Sequence, residues 1–443
     1  MDKRAVSGFS KLSKLEKLQW LSDNFDSQNG DLAQICTSFY TKDEPLQKVF
    51  DGFSENTVSN FIMPYGLAPN FLIDGDILCV PMVIEESSVV AAAASAAKYW
   101  MERGGFKTTI LGTTKVGQVH FKWFGDTNKL NSLFPEIKVY LTENAVPITE
   151  NMERRGGGIS DIELLDFTNA EEGLYQLLVH FETCDSMGAN FINSVLENFA
   201  SSLEAFFVNY PTMDDKDRDL HIIMSILSNY TPECVVRSEV SCKIEELGTF
   251  ANGIVAEQLA EKFRTAVKIA HIDPYRATTH NKGIFNGIDA VILATGNDFR
   301  ATEAAGHTYA AKDGQYRSLS YCEINDGIFR FWLDVPLAIG TVGGLTSLHP
   351  LAKKTLDILG NPSAEKLMRI IASVGLAQNF AALRSLVTTG IQQGHMKMHM
   401  MNILNHLQAS ELECKEAMLY FNDKTVSFSA VREFLDRYRV ENL

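Results

Sequence analysis

The 443-residue chain lacks the features that identify several large classes of protein. It has no excess of positive charge: 40 Lys and Arg and 55 Asp and Glu give a formal net charge of -15 at pH 7. Proteins that bind nucleic acid do so through clustered Lys and Arg. No apolar run approaches the roughly 20 residues that cross a bilayer, and the N-terminus has no apolar signal-peptide core. These absences predict a cytoplasmic protein with no nucleic-acid partner and no membrane segment.

The cysteine and histidine pattern gives little indication of a metal site. The seven cysteines are scattered and include no Cys-x-x-Cys pair, which is typical of reduced thiols in a cytosolic protein. His395 and His399 have the i, i+4 spacing of a zinc site, but the Glu of His-Glu-x-x-His and a third ligand are missing. We therefore predict no metal. A histidine beside a glycine in this polar tail is better suited to giving a proton to a leaving group.

Two common nucleotide-binding signatures are also absent. The chain has neither Gly-x-x-x-x-Gly-Lys-Ser/Thr nor a Gly-x-Gly-x-x-Gly after a strand, so a dinucleotide would need another site. The best candidate is the segment 185–190, because it opens a helix predicted to run through Phe207, and backbone N–H groups at a helix start attract phosphate. Taken alone, an ordinary capped helix is the simpler interpretation of this segment.

Hydrophobic periodicity predicts strands and helices that do not alternate regularly, which favours an α+β fold. Helices are predicted over 10–25, 89–101, 255–272, 351–359 and 364–388, with a polar helical tail from Ile391. Strands are predicted at 113–123 and 174–180. The segment 273–283 is interpreted as a loop, and 283–296 as a tight turn followed by a buried strand.

Charged groups of the kind that carbonyl reduction uses occur in and near these segments. Lys282 lies in the predicted loop, and Asp298 follows the predicted buried strand. Reduction of a carbonyl needs a cation to stabilise the developing alkoxide and a carboxylate to adjust the pKa values of neighbouring groups. Glu86 follows a strand-like run and is a candidate general acid. By themselves, these residues are equally consistent with a surface ion pair and with carboxylates that suit a helix dipole.

Taken together, these segments resemble the hydroxymethylglutaryl-CoA reductases, specifically the short bacterial class II type. The resemblance extends over nearly the whole chain. Each block alone is a weak signal, and the match is specific because all the blocks occur in the family's order. The blocks are 55–56, 81–86, 185–190, 273–283, 286–289, 294–298, 340–344 and 390–396.

The resemblance implies a particular domain organisation. A large domain that binds the thioester (1–112 and 231–388) is expected to be interrupted by a small, ferredoxin-like, dinucleotide-binding domain (113–230). A helical C-terminal flap (389–443) is expected to close over the site. The resemblance also implies a homodimer or a higher even oligomer with active sites between subunits. The missing Gly-x-Gly-x-x-Gly is then expected, because this family holds its cofactor on a different fold.

The reaction implied is the four-electron reduction of (S)-3-hydroxy-3-methylglutaryl-CoA to mevalonate and CoA with two NAD(P)H, or the reverse oxidation. Lys282 is expected to stabilise oxyanions, Glu86 to protonate the aldehyde stage, and Asp298 to link the two. His395 is expected to protonate the CoA thiolate. The implied substrate contacts are Ser88, Arg276, Asn286 and Glu55, and the implied cofactor contacts are Asp185, Met187, Gly188, Asn190, Asn229 and Glu150.

The cofactor preference depends on one position. NAD-preferring members carry an Asp that corresponds here to Thr149 or Glu150. Glu150 would favour NADH by repelling a 2′-phosphate, whereas Arg154 and Arg155 nearby would favour NADPH. The sequence leans slightly to NADPH.

Two other functions are compatible with parts of this pattern. Another CoA-thioester enzyme, such as a lyase or acyl transferase, would need a covalent nucleophile or a metal, and no cysteine lies in the shared motifs. A non-catalytic paralogue that binds CoA or a nucleotide would have no physical need for Glu86, Lys282, Asp298 and His395 together.

Overall fold

The computed structural model describes residues 5–26, 30–215, 217–248, 253–388, 400–421, 424 and 426–441. The helices are α1 (Lys14–Phe25), α2 (Leu32–Ser38), α3 (Glu44–Asp51), α4 (Val89–Met101), α5 (Thr127–Glu153), α6 (Ala189–Asn209), α7 (Ala256–Ile272), α8 (Pro274–Ala294), α9 (Phe299–Ala310), α10 (Leu345–Leu348), α11 (Pro350–Ile358), α12 (Ala364–Val387), α13 (400–406), α14 (Glu411–Tyr420) and α15 (Phe428–Glu441). The strands are β1 (Tyr65–Ile73), β2 (Asp76–Val83), β3 (Lys107–Ile110), β4 (Lys115–Trp123), β5 (Gly158–Asp166), β6 (Leu174–Glu182), β7 (Leu220–Leu227), β8 (Val235–Lys243), β9 (Ser320–Asn325) and β10 (Ile328–Pro336). This mixture confirms the α+β prediction.

The largest hydrophobic core is built from segments on both sides of residues 113–230. It combines the β1–β2 hairpin, an antiparallel sheet of order β3-β8-β10-β9, and the helices α4, α7, α8 and α12. Fully buried aromatic rings meet at its centre, where Phe380 of α12 contacts Trp100 and Phe263 with ring centroids 5.0 and 5.5 Å apart. Helix α12 therefore connects the sheet to the helices that carry several predicted site residues.

Residues 115–227 form a separate β-α-β-β-α-β unit with its own core. Its antiparallel sheet has the order β5-β6-β4-β7, and α5 and α6 pack together. This is the ferredoxin-like succession of elements. The chain enters and leaves the unit through adjacent segments, because Leu111 N donates to Val235 O (2.8 Å) and Val235 N donates to Gly112 O (3.1 Å).

The C-terminal helices α13, α14 and α15 pack around a third cluster of buried side chains, which includes Leu404, Ala417, Val431 and Leu435. The prediction of a helical tail is therefore confirmed from residue 400 onward. Because this cluster is separate from the other two, the C-terminal helices carry an apolar core of their own.

The prediction for 273–296 was wrong, because Pro274–Ala294 form the single helix α8. Asp273 caps it by accepting a hydrogen bond from Tyr275 N (3.0 Å), and Pro274 occupies the first helical position, where the missing N–H costs nothing. The apolar run that resembled a strand is a helix buried on most sides, which periodicity alone does not distinguish from a buried strand.

Two other predicted helices begin later than expected. A capping box between Ser13 and Glu16 starts α1 at Lys14 rather than at residue 10. Helix α6 begins at Ala189 rather than at 185, because Gly188 is in the left-handed conformation with φ 88°. The helices predicted over 89–101, 255–272 and 364–388 agree with α4, α7 and α12 to within one residue.

Helix α12 is, by length and composition, apolar enough to cross a bilayer. Of its most apolar window, however, 72% is buried inside the protein. It also carries Arg369, whose guanidinium donates to Thr108 O (2.9 Å) within the fold. These properties are those of a core helix.

Candidate active site

A tight turn over residues 183–188 connects β6 to α6. Ser186 N donates to Thr183 O (3.0 Å), and the Thr183 hydroxyl donates back to Ser186 O (2.7 Å). Gly188 closes the turn with a positive φ, and a Cβ there would lie 2.5 Å from Thr183 Cγ2. Only glycine fits this position without strain. The turn presents the start of α6, where backbone N–H groups lack partners within the helix.

The 183–188 turn is fixed to the large core by backbone contacts. Thr341 N donates to Asp185 O (2.8 Å), and Ala364 N at the start of α12 donates to Asp185 Oδ1 (2.7 Å). A Cβ on Gly340 would lie 2.4 Å from Met187 N, so the two backbones are in direct contact. One carboxylate oxygen of Asp185, a predicted cofactor contact, therefore already holds the turn against α12.

An open cleft of about 1370 Å³ lies on the α6 side of the turn. It brings together four predicted residues from distant parts of the sequence: Met187, Gly188, Asn190 and Asp298. The backbone between Gly340 and Thr346 forms another wall. A concave site where a helix start faces a carboxylate is suited to binding an extended anionic ligand and reacting one end of it.

The remaining predicted residues near the turn line neighbouring cavities. Asn229 is exposed and lines a small pocket that shares Met187 with the large cleft. Asp185 lines a cavity of about 1020 Å³ with Glu182 and Cys184. The predicted cofactor residues other than Glu150 thus surround the same turn.

Asp298 caps α9, so it does not follow a strand as predicted. Its Oδ1 accepts hydrogen bonds from the N–H groups of Arg300 (3.0 Å) and Ala301 (3.2 Å), and the Arg300 guanidinium lies 2.8 Å from Oδ2. Burial raises the pKa of the Asp298 carboxyl, but the hydrogen bonds from Arg300 and Ala301 outweigh burial and the pKa lies below its ordinary value. Asp298 is therefore an anion on the wall of the cleft.

Asn297 is a structural residue of the cleft that the sequence did not single out. Its Oδ1 accepts a hydrogen bond from Gly340 N (2.9 Å), and its Nδ2 donates to the buried Thr295 hydroxyl (3.1 Å). It connects the Asp298 wall to the Gly340 backbone that touches the turn. The only signal in the sequence was its place in the Thr-Gly-Asn-Asp block.

Glu86 and Ser88 are neighbours in space as well as in sequence. The Ser88 hydroxyl donates to Glu86 Oε1 at 3.3 Å. Ser88 occupies the N-cap position of α4, but its side chain makes no cap hydrogen bond. Both β2 and α4, which flank this segment, pack against α8. One predicted catalytic residue and one predicted substrate contact are thus paired beside the helix that carries Lys282.

The polar side chains of α8 divide into an outer and an inner group. Lys282 is exposed, Asn286 lies one turn further along the same face, and Arg276 is half-buried. Across the described ranges, neither Lys282 nor Arg276 makes an ion pair with a carboxylate within 4.0 Å. Burial lowers the pKa of the Arg276 guanidinium, although the group stays cationic. Unpaired cations on one helix are suited to an anionic ligand.

His280, by contrast, lies inside the core. Its Nε2 is 2.7 Å from Ser320 Oγ, and burial lowers its pKa to about 3, so the ring is neutral. Asn281 is also buried and bonds to Arg317 O (2.8 Å). These two residues stabilise the fold.

The other predicted residues lie apart from the cleft. Glu55 is exposed after α3, and Glu150 is exposed on α5, where it pairs with Arg154 at 2.5 Å. Thr149 is buried. In the single chain, the 1370 Å³ cleft does not include Glu55, Glu86, Ser88, Glu150, Arg276, Lys282 or Asn286.

His395 lies outside the described residues, as does His399. Within the part of the chain that the structure does describe, no group of three or more His, Cys, Asp or Glu side chains is placed to hold a metal ion.

Comparisons with known proteins agree over nearly the full length. The family model for hydroxymethylglutaryl-coenzyme A reductase matches residues 14–400. The chain is 35% identical over 438 residues to the 3-hydroxy-3-methylglutaryl-coenzyme A reductase of Archaeoglobus fulgidus, with 98% of this chain and 94% of the relative covered. It is 32% identical to a probable reductase of the same name from Borreliella burgdorferi, with 97% and 99% covered.

Solved structures give the same result. The 3-hydroxy-3-methylglutaryl-coenzyme A reductase from Streptococcus pneumoniae matches with a TM-score of 0.72 at 36% identity, covering 98% of this chain and 100% of that one. A structure of the class II reductase from that organism, bound to NADPH in open conformations, matches with a TM-score of 0.70 at 35% identity, covering 86% and 100%. The chain therefore belongs to the hydroxymethylglutaryl-coenzyme A reductase family, whose members are NAD(P)H-dependent oxidoreductases that act on a coenzyme A thioester.

Proposed function

We propose that the protein reduces (S)-3-hydroxy-3-methylglutaryl-CoA to mevalonate and free CoA, with two molecules of NAD(P)H, or runs the reverse oxidation. The observation that carries this proposal is the cleft in which the 183–188 turn faces Asp298. A dinucleotide and a reacting carbonyl have to meet at one place, and this cleft combines an anion-attracting helix start with a carboxylate.

The cofactor binds with its phosphates against the N–H groups at the start of α6. The left-handed Gly188 supports this placement, because it leaves the backbone open to close approach. Met187, Asn190 and Asn229 line the cavities on either side of the turn and contact the rest of the cofactor. The nicotinamide end then points towards Asp298.

Catalysis uses Lys282, Glu86, Asp298 and His395. Lys282 donates to the oxygen that becomes negative when hydride arrives at the carbonyl, and Glu86 supplies the proton when the aldehyde is reduced. Asp298 is an anion on the wall of the cleft, and it links Lys282 and Glu86 in one network. His395 protonates the thiolate that leaves as CoA. The substrate contacts are Ser88, Arg276, Asn286 and Glu55, and Arg276 pairs with the free carboxylate.

The functional unit is a homodimer with active sites between its subunits. In support, Lys282 and Arg276 carry unpaired charge on α8 outside the cleft of their own chain. The apolar side chains of Tyr275 and Ile272, in the same stretch, are 89% and 59% exposed. A second copy of the chain would cover these side chains and bring the cations to a cleft.

NADPH is the preferred cofactor. Thr149 is buried and Glu150 is the exposed candidate, but the Glu150 carboxylate is balanced by Arg154. A balanced carboxylate repels a 2′-phosphate weakly, and the related pneumococcal structure is bound to NADPH.

The proposed domain organisation is 1–112 and 231–388 for the substrate domain, 113–230 for the cofactor domain, and 389–443 for the flap. Three separate hydrophobic cores support these boundaries. We place the protein in the cytoplasm.

The test mixes purified protein with hydroxymethylglutaryl-CoA and either NADPH or NADH, and follows both nicotinamide oxidation and release of free thiol. We expect two nicotinamides oxidised for each CoA released. Lys282→Ala should abolish both hydride steps, whereas Lys262→Ala, an exposed lysine of α7, should not change the rate. Absence of oxidation with both cofactors would refute the proposal.

A further inference from the structure

Lys115, the first residue of β4, lies directly against the 183–188 turn. Its side chain is only 5% exposed. The Nζ atom donates to the Thr183 hydroxyl oxygen (2.6 Å) and to Ser186 O (2.7 Å). These two oxygens are also the donor and the acceptor of the hydrogen bond within the turn. Lysine is among the residues least often buried without a charged partner.

No carboxylate lies within 4.0 Å of this ammonium among the described residues. Glu182 acts on it from beyond hydrogen-bond distance, and the carboxylate oxygens of Glu182 accept hydrogen bonds from Thr113 (2.7 Å) and Thr114 (2.6 Å). The other titratable groups facing Lys115 are the thiols of Cys184 and Cys234.

A buried cation without a counter-charge is costly unless an anion joins it. The ammonium has three N–H donors, and the described residues provide acceptors for two of them. Lys115 also lines two cavities, the one that contains Met187 and Asn229 and the one that contains Asp185. Its positive charge therefore acts on both sides of the turn.

We propose that Lys115 is a positioning residue for the phosphates of the dinucleotide: its ammonium fixes the 183–188 turn to β4, and its positive charge, which has no close ion-pair partner among the described residues, attracts the anion that binds at the turn. This inference rests on the proposed function, because it requires that the cofactor occupy this turn. Fixing Ser186 and Thr183 holds Gly188 and the first N–H groups of α6 in one orientation, so the phosphates meet donors that are already aligned.

The fold is expected to survive removal of the ammonium. In Lys115→Met the apolar stem is kept, and Ser186 O still accepts the hydrogen bond from the Thr183 hydroxyl at 2.7 Å. No buried carbonyl is left without a donor at this position. Lys122 provides a matched control, since it lies on the same strand but pairs with Glu171 at 2.5 Å, away from the turn.

The experiment measures the NADPH dissociation constant by fluorescence titration for the wild type, Lys115→Met and Lys122→Met. We expect binding to weaken about 10-fold to 100-fold in Lys115→Met, the effect of losing hydrogen bonds from a charged donor, and to change less than about twofold in Lys122→Met. In steady-state assays, KM for NADPH should rise while KM for hydroxymethylglutaryl-CoA stays unchanged.

A pH series separates the charge from a merely structural role. Burial lowers the pKa of Lys115, so the wild type should lose NADPH affinity as the pH rises and the ammonium becomes neutral, earlier than for an ordinary lysine. Lys115→Met should lack this loss. The Cys184 and Cys234 thiols are present in both proteins, so the difference between the two curves belongs to Lys115. Parallel curves would overturn the inference.

The outcomes distinguish this inference from the proposed function. A wild type that binds neither NADPH nor NADH overturns both. A wild type that binds, with Lys115→Met binding within about twofold of it, overturns only the role of Lys115. Equal weakening in Lys115→Met and Lys122→Met also overturns that role, because the effect would then come from the loss of any positive charge and not from the position of Lys115. If Lys115→Met does not fold, Lys115→Gln, which keeps an N–H donor without the charge, takes its place with the same expected weakening.

Discussion

The contact between Gly340 and the 183–188 turn allows a sharp test of where the cofactor binds. A Cβ on residue 340 would lie 2.4 Å from Met187 N, 2.9 Å from the Ser186 carbonyl carbon and 3.1 Å from Asp185 O. All three are backbone atoms, so a rotating side chain does not relieve the overlap. Restoring ordinary contact distances requires a shift of about 1 Å between Gly340 and the turn.

The consequences of Gly340→Ala follow from this displacement. Overpacking of this kind costs about 1–3 kcal/mol of stability, and Tm should fall by roughly 1 °C for each kcal/mol in a chain of 443 residues. A displacement of about 1 Å in a positioned ligand reduces rates by about 100-fold. We therefore expect NADPH binding and kcat/KM to fall by about 10-fold to 100-fold, with little change in hydroxymethylglutaryl-CoA binding.

Calorimetric titration with each ligand, together with a thermal melt, measures these effects separately. Gly52→Ala is the control, because a Cβ there would make only ordinary contacts, at 3.5 and 3.6 Å, and its φ of −86° suits any residue. A folded Gly340→Ala protein that binds NADPH as tightly as the wild type would refute the placement of the cofactor at the turn.

Three further predictions concern other parts of the chain. Burial and the Glu303 carboxyl raise the pKa of Asp289, so the stability tied to its proton is fully present below the ordinary pKa of Asp and is lost as the pH rises to the raised value. The Tm of Asp289→Asn should therefore exceed that of the wild type by a margin that grows with pH over this range, and parallel pH curves would contradict this. His395→Ala should impair thioester reduction far more than reduction of added mevaldehyde, and equal losses in the two assays would rule out the proton transfer to CoA. Arg154→Ala frees the Glu150 carboxylate and should lower kcat/KM for NADPH several-fold relative to NADH, whereas an unchanged ratio of the two values would exclude this pair from cofactor selection.

The sequence predicted the fold class, and it predicted α4, α7 and α12 almost to the residue, because those helices have clear apolar periodicity. It failed at α8 for a physical reason. Gly283 and Gly287 looked like turn residues, yet a Cβ on Gly287 would lie 2.8 Å from Val374 O of α12. Gly375 of α12 similarly contacts Ile288, with 2.8 Å from its virtual Cβ to Cγ1. Gly287 and Gly375 allow the two helices to approach closely, a use of glycine that a single sequence does not separate from a turn.

The site was predictable in part. Met187, Gly188, Asn190 and Asp298 line one cleft, although they lie up to 111 positions apart in the chain. Lys115 and Asn297 were not predicted, because their importance comes from contacts made only in the folded chain. The joining of Lys282 and Glu86 to the cleft stays a prediction, since neither residue lines the cleft of the single chain.

The chain enters and leaves the ferredoxin-like unit at neighbouring residues, which affects how such enzymes can evolve. Because Leu111 and Val235 are hydrogen-bonded neighbours, the ends of the insertion are separated by about one strand spacing, roughly 4.8 Å. A whole replacement module with similarly adjacent ends would close the host chain without moving its sheet. Under the proposed function, in which this unit holds the electron donor, selectivity for that donor can change by exchange of the whole unit as well as by single substitutions.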